Sequence, residues 1–158
     1  MRFRMLVAVM AVVVTLAFSV AVYAAPAELP NCSFYPVQGF GQLWFTGERI
    51  ASLLRCPTTV EYGVWVAEQR FQYGQAIWFS DSNTVFVLLG GGTVYPFTGV
   101  GSINQVYNAY PWVRARLGYA TEDARGVTAS WQDFQRGAMY WTHKSGRIVF
   151  FRGWWERY

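Results

Sequence analysis

Gln69-Arg70-Phe71-Gln72-Tyr73-Gly74-Gln75-Ala76-Ile77-Trp78 and Gln132-Asp133-Phe134-Gln135-Arg136-Gly137-Ala138-Met139-Tyr140-Trp141 carry one pattern, 63 residues apart. Extended without a gap, the shift lays Leu54–Tyr95 on Leu117–Tyr158, and 12 of the 42 positions are identical. The shared residues are Leu54/Leu117, Thr58/Thr121, Gly63/Gly126, Val64/Val127, Gln69/Gln132, Phe71/Phe134, Gln72/Gln135, Gly74/Gly137, Trp78/Trp141, Ser82/Ser145, Gly90/Gly153 and Tyr95/Tyr158. Ordered self-similarity of this kind marks two copies of one supersecondary unit. Glycines, aromatics and amides dominate the shared set, and these residue types build a frame rather than perform chemistry.

Each copy reads as a short helix followed by strands. Ile50, Leu53 and Leu54 share a helical face within Glu48–Arg55, and Ile103, Val106, Tyr107 and Tyr110 share one within Ile103–Arg116, where Pro111 restarts the helix. Extended segments follow at Val64–Phe71, Gln75–Phe79, Val85–Leu89 and Thr93–Phe97, and again at Val127–Phe134, Ala138–Thr142 and Ile148–Phe151. Gly74, Gly137 and Gly90-Gly91-Gly92 supply turns, and the tail with Trp154 and Trp155 reads as a docked last strand. The fold class is α+β and mostly antiparallel: two tandem units, each a short helix and a three- to four-stranded meander, side by side.

The N-terminus reads as an export signal. Arg2 and Arg4 precede an apolar run from Met5 to about Val22, and Val22-Tyr23-Ala24 offers small residues for cleavage after Ala24, or one residue later after Ala25. An uncleaved anchor is the alternative, since the run approaches the ~18 residues that span a bilayer. Cysteine at Leu29-Pro30-Asn31-Cys32 lacks the small neighbours of a lipoprotein site. Removing residues 1–24 leaves Ala25–Tyr158, the length of one ordinary domain, with no second apolar stretch long enough to span. Cys32 and Cys56 then lie in an oxidising compartment, where an even count argues for a disulfide over two free thiols. Two cysteines and the single His143 fit no metal-ligand spacing, so no metal or other cofactor is implied. Two of the four net positive charges belong to Arg2 and Arg4, and no basic block remains to bind nucleic acid.

The second copy resembles an LGFP repeat. Arg116-Leu117-Gly118-Tyr119-Ala120-Thr121, then Phe134-Gln135-Arg136-Gly137-Ala138-Met139-Tyr140-Trp141 and a Ser145-Gly146 turn, follow that family's Leu-Gly-aromatic-Pro-Thr and Phe-x-x-Gly-x-Ile-Tyr-Trp pattern. Leu54-Arg55-Cys56-Pro57-Thr58 and Phe71-Gln72-Tyr73-Gly74-Gln75-Ala76-Ile77-Trp78 are similar in the first copy, with Arg55 in place of the glycine; Ala120 replaces the proline in the second. The resemblance implies an exported, envelope-associated binding module without catalysis.

Active-site chemistry is sparse. A Ser–His–Asp triad needs three converging groups. His143 lies on a predicted turn, and its repeat partner is Ser80, so the frame does not demand an imidazole. Paired carboxylates could hydrolyse glycans, yet no acid recurs in both copies. Glu61, Glu68, Glu122, Asp123 and Asp133 read as strand or turn surface. Gly90-Gly91-Gly92 lacks the Lys-Ser/Thr of a phosphate loop. Trp78, Trp141, Phe71 and Phe134 read as core, with Gln69 and Gln132 satisfying nearby backbone groups.

Unshared aromatics are the ligand candidates, because the frame does not need them. Trp131 alternates to the face opposite Phe134 and is matched to Glu68; Trp154 and Trp155 are matched to Gly91 and Gly92. The expectation is a secreted or surface-held, non-enzymatic module whose Trp131, Trp154 and Trp155 meet cell-wall polysaccharide or peptidoglycan. The alternative is a protein–protein or structural factor, and a small envelope hydrolase stands third.

Overall fold

The computed structural model describes residues 31–47 and 49–158. The export-signal segment, its cleavage site and Glu48 lie outside these described residues. Helices α1 (Gln38–Thr46) and α2 (Ile50–Leu54) precede strands β1 (Tyr62–Phe71), β2 (Gly74–Phe79), β3 (Thr84–Leu89) and β4 (Val94–Thr98). Helices α3 (Ile103–Ala109) and α4 (Pro111–Leu117) precede β5 (Arg125–Phe134), β6 (Gly137–Thr142), β7 (Gly146–Phe150) and β8 (Trp155–Arg157). Pro111 does restart the second helical stretch, at its first position, where a missing N–H costs nothing. Helix α1 was not anticipated, although Phe40, Leu43 and Trp44 stand at helical spacing and are buried.

The strands form one antiparallel sheet of eight, in the order β4-β3-β2-β1-β5-β6-β7-β8. The two meanders therefore do not stand apart as separate sheets. They join through β1 and β5, with Tyr62 opposite Trp131 and Glu68 opposite Arg125. The sheet curls until its outer strands meet in a nearly closed, barrel-like form. The Val94 amide donates to Gly153 O (3.2 Å), that of Trp155 donates to Gly92 O (2.7 Å), and Thr93 bridges Trp154. Beyond Val94, the next β4 residue whose amide nitrogen faces this seam is Pro96, which has no N–H, so the seam stops there.

Pairings across the sheet map onto themselves under the 63-residue shift. Trp65 faces Thr128, its own shifted position, at the β1–β5 junction, and Gly92 meets Trp155, its own shifted position, at the seam. The turns follow the same rule. Thr58 donates to Asp133 O (2.9 Å) as Thr121 donates to Arg70 O (3.0 Å). Arg136 donates to Leu54 O (3.1 Å) as Tyr73 donates to Leu117 O (3.0 Å).

Each helical prelude thus docks on the strands of the other half. Phe40, Trp44, Ile50 and Leu54 pack with Phe134, Met139 and Val149, while Val106, Val113 and Leu117 pack with Phe71, Ala76 and Val87. Gly74 and Gly137 make this contact feasible. A Cβ on Gly137 would stand 2.0 Å from Phe150 O and 2.8 Å from Leu54 Cδ2; on Gly74 it would stand 2.1 Å from Leu88 O and 3.0 Å from Leu117 Cδ2. Gly118 uses a positive φ of 73° to turn the chain after α4, and Arg55, in the same place after α2, adopts φ 63° without a glycine's freedom.

Closure gives most strands two buried faces. The helix-covered outer face holds Phe71 and Phe134. The lumen holds Val66, Ile77, Phe79, Tyr140, Ile148 and Phe150. Gln69 and Gln132 are buried as anticipated, and each donates to a backbone carbonyl of the opposite half, Glu122 O (3.1 Å) and Thr59 O (3.0 Å). Two other expectations are corrected. Glu68 is not on the surface; it is 3% exposed inside the lumen. Trp141 is not core but 42% exposed. Its counterpart Trp78 is roofed by the segment carrying Val100, whose carbonyl accepts the indole N–H at 3.1 Å. At Trp141, helix α1 stands off and leaves a cleft of about 300 Å3 bordered by Gln38, Gly39 and Arg147.

Candidate functional site

The two ends of the lumen share a frame and differ in filling. At one end Trp131 packs edge-on against Phe79 at 4.9 Å and lies 5.5 Å from Phe150, making an aromatic plug. Its indole N–H donates to Asp133 Oδ1 (2.8 Å), and the Tyr62 hydroxyl donates to Asp133 Oδ2 (3.1 Å). Desolvation, then the charge of Asp133, pushes the Tyr62 phenol up to about 12.

At the other end the 63-residue shift puts Glu68 where Trp131 stands and Thr142 where Phe79 stands. The aromatic pair is replaced by a hydrogen bond: Thr142 Oγ1 donates to Glu68 Oε1 (2.9 Å), and the Tyr140 hydroxyl donates to the same oxygen (2.7 Å). Burial, reinforced by the adjacent Glu68, raises the Tyr140 phenol well above its ordinary range, so it remains a donor.

Beyond Glu68 this end opens into a cavity of about 840 Å3, bordered by the β1–β2 turn, the Gly90-Gly91 turn, α4 and β8. Arg70, Gln75, Trp155 and Arg157 alternate inward from their strands, and Arg116 reaches the rim from α4. Trp155 forms a wall: its indole N–H donates to Leu89 O (3.0 Å), and the Arg157 guanidinium sits 5.7 Å from its ring centroid. Arg157 donates to Gln75 Oε1; Arg70 donates to Lys144 O (2.8 Å); Arg116 donates to Tyr95 Oη (2.9 Å). Partial burial, then the like charge of Arg70, lowers the Arg157 pKa, with Glu68 opposing. Among the described residues the ion pairs are Arg49–Glu156 and Lys144–Glu122, so none of the three cavity arginines pairs with a carboxylate.

Of the three tryptophans read from sequence as ligand candidates, Trp155 alone lines this cavity. Trp131 does alternate away from Phe134, but into the lumen, because closure supplies a second core on that side. Trp154 packs on the outer core, stacked on Phe151 at 3.8 Å. Arg70, Gln75, Arg116 and Arg157 were not singled out, although a signal existed: their shifted partners are Asp133, Ala138, Leu53 and Val94, so none belongs to the shared frame.

The remaining groups lie apart from the cavity. Cys32 and Cys56 form the anticipated disulfide, with Cα atoms 5.3 Å apart, tying the segment before α1 to the turn after α2. His143 is exposed on the β6–β7 turn. Among the described residues no three His, Cys, Asp or Glu side chains cluster as metal ligands, and no helix is long and apolar enough to cross a membrane.

No curated protein and no solved structure matches this chain. The family model of the LGFP repeat matches residues 117–158, so the C-terminal residue of α4, its turn and strands β5–β8 are similar to an LGFP repeat, a module that occurs in cell-surface proteins.

Proposed function

We propose that this chain is an exported, non-catalytic binding module built from two copies of one LGFP-type unit, and that one end of its barrel holds cell-envelope glycan. The observation that carries the reading is where the two copies differ. Residues identical in both copies hold the turns, the helix docking and the hairpins. Among the pairs that differ, Glu68/Trp131 and Phe79/Thr142 set the two lumen ends apart: one is plugged by Trp131 and Phe79, with a cleft of about 300 Å3 outside the plug, and the other opens into the cavity of about 840 Å3 with Trp155 on its wall. A frame kept twice with one end emptied is what a binding site on a duplicated scaffold requires. An indole face beside inward-pointing hydrogen-bond donors suits a sugar ring, whose apolar face stacks while its hydroxyls are bonded. Glu68, the one carboxylate buried among the described residues, is engaged by two hydroxyl donors, which suits a structural role better than one half of a hydrolytic pair.

The test is co-sedimentation of the disulfide-intact protein with cell envelopes stripped of protein. Saturable retention, competed by a soluble envelope glycan and weakened by Trp155→Ala, is the expected result. Absence of retention would overturn the reading. It would favour the alternative of a protein partner, for which the exposed, stacked pair Tyr35 and Phe45 offers a surface.

A further inference from the structure

We infer that the cavity at the open end of the barrel is an anion site: it takes an acidic glycan segment whose carboxylate or phosphodiester group is held by Arg70, Arg116 and Arg157. The inference deepens the glycan-binding reading by naming the chemical class of its ligand, and it rests on the balance of donors and charges.

The charges come first. Three guanidiniums border the cavity and none is paired with a carboxylate among the described residues. Two acids act on them: Glu68, whose Oε1 is already engaged by Tyr140 and Thr142, and Glu122 beside Arg70, whose charge is met by Lys144. Positive charge is therefore in excess where the cavity opens. Like charges gathered in one place repel, and a fixed anion between them removes that cost.

The donors point the same way. Gln75 is 3% exposed, and its amide orientation is set by Arg157, which only donates, so Oε1 must face the guanidinium. Its Nε2 is thereby directed elsewhere and has no acceptor in the described protein. Arg70 Nε is likewise buried without an acceptor. Both atoms have almost no exposed surface, so a ligand oxygen meets them only when the Gln75 amide or the Arg70 side chain turns toward the cavity, and that pairing would recover the free energy unpaired donors cost. The two buried acceptors without partners, Gln69 Oε1 and Gln132 Oε1, belong to residues outside the cavity lining. The cavity's charged groups are all donors, and an acidic sugar brings acceptors of opposite charge. At about 840 Å3 it is far larger than a lone anion needs, with room for a ring against Trp155 as well.

Three probes separate the sources of the anion: oligogalacturonides for carboxylate, short poly(glycerol phosphate) for phosphodiester, and neutral isomaltooligosaccharides for the sugar alone. Binding to the disulfide-intact protein is read by calorimetry and by Trp155-dependent fluorescence. At least one acidic probe binds saturably and the neutral one does not; the acidic probe that binds identifies the group. Arg157→Gln and Arg116→Gln each weaken that binding about tenfold, the loss of one charge-assisted hydrogen bond. Arg136→Gln, which removes an equal charge from the exposed β5–β6 turn outside the cavity, changes it less than twofold. Failure of both acidic probes, equal binding of the neutral probe, or equal losses from Arg136→Gln and Arg157→Gln would overturn the anion site. Envelope retention in the first experiment with failure here would leave a glycan-binding module whose ligand is uncharged. Saturable acidic-probe binding without envelope retention would keep the anion site and remove the envelope as its source.

Discussion

Leu54→Ala tests the exchange of helices between halves, and it makes an unusual demand: a change in the first half should loosen the second. Leu54 is fully buried among Phe134, Met139 and Val149 and lies over Gly137. Truncation removes three carbon groups, about 2.4 kcal/mol at ~0.8 each. It also opens a cavity of roughly 80 Å3, adding up to about 2 kcal/mol at ~24 cal/mol per Å3 if nothing relaxes. A loss of about 2.5–4.5 kcal/mol follows, which lowers the melting temperature by roughly 10–15 °C for a chain of this size. Thermal unfolding measures the total, and native-state hydrogen exchange locates it. The amides of Gln135 and Arg136, which donate to Cys56 O and Leu54 O, should lose at least tenfold more protection than those of Gln72 and Tyr73, which donate to Tyr119 O and Leu117 O. Equal loss at both turns, or a larger loss at Gln72 and Tyr73, would refute the exchange.

Two further outcomes follow from the turns at the helix ends. Replacing both Cys32 and Cys56 by serine should cost about 3.5 kcal/mol by the chain-entropy relation for a separation of 24 residues, read as an equal fall in melting temperature for the variant and for the reduced wild type. Arg55→Gly should stabilise by about 1 kcal/mol, because relief of a left-handed backbone at φ 63° exceeds glycine's added unfolded-state freedom; the measurement is the denaturation midpoint at constant m-value.

Much of the frame was legible in the sequence because it is written there twice. Strand propensity and turn residues located the strands within two residues, proline geometry the Pro111 break, the cysteine count the disulfide, and strand alternation the buried amides of Gln69 and Gln132. Closure was not legible. An alternating pattern tells which residues share a face, not what lies beyond the other face, so Trp131 was correctly turned away from Phe134 and wrongly sent to solvent. Glu68 failed for the same reason: acids are seldom buried, and only the opposite wall, with Tyr140 and Thr142, explains this one. The cavity was beyond reach for a second reason. Arg70, Arg116 and Arg157 come from β1, α4 and β8, and only the curled sheet brings them together.

The proline that halts the seam also guards what the seam leaves open. A barrel closed over its full length has no edge for another chain to extend, whereas this one closes at Gly92–Val94 and leaves the rest of β4 unpaired on its outer side among the described residues. A bare strand edge is a template for runaway pairing between molecules. Pro96 stands in the middle of that edge with no N–H to offer, which breaks the ladder an incoming strand would need. The same residue therefore leaves the barrel wall slightly ajar and keeps its neighbours from zipping onto it.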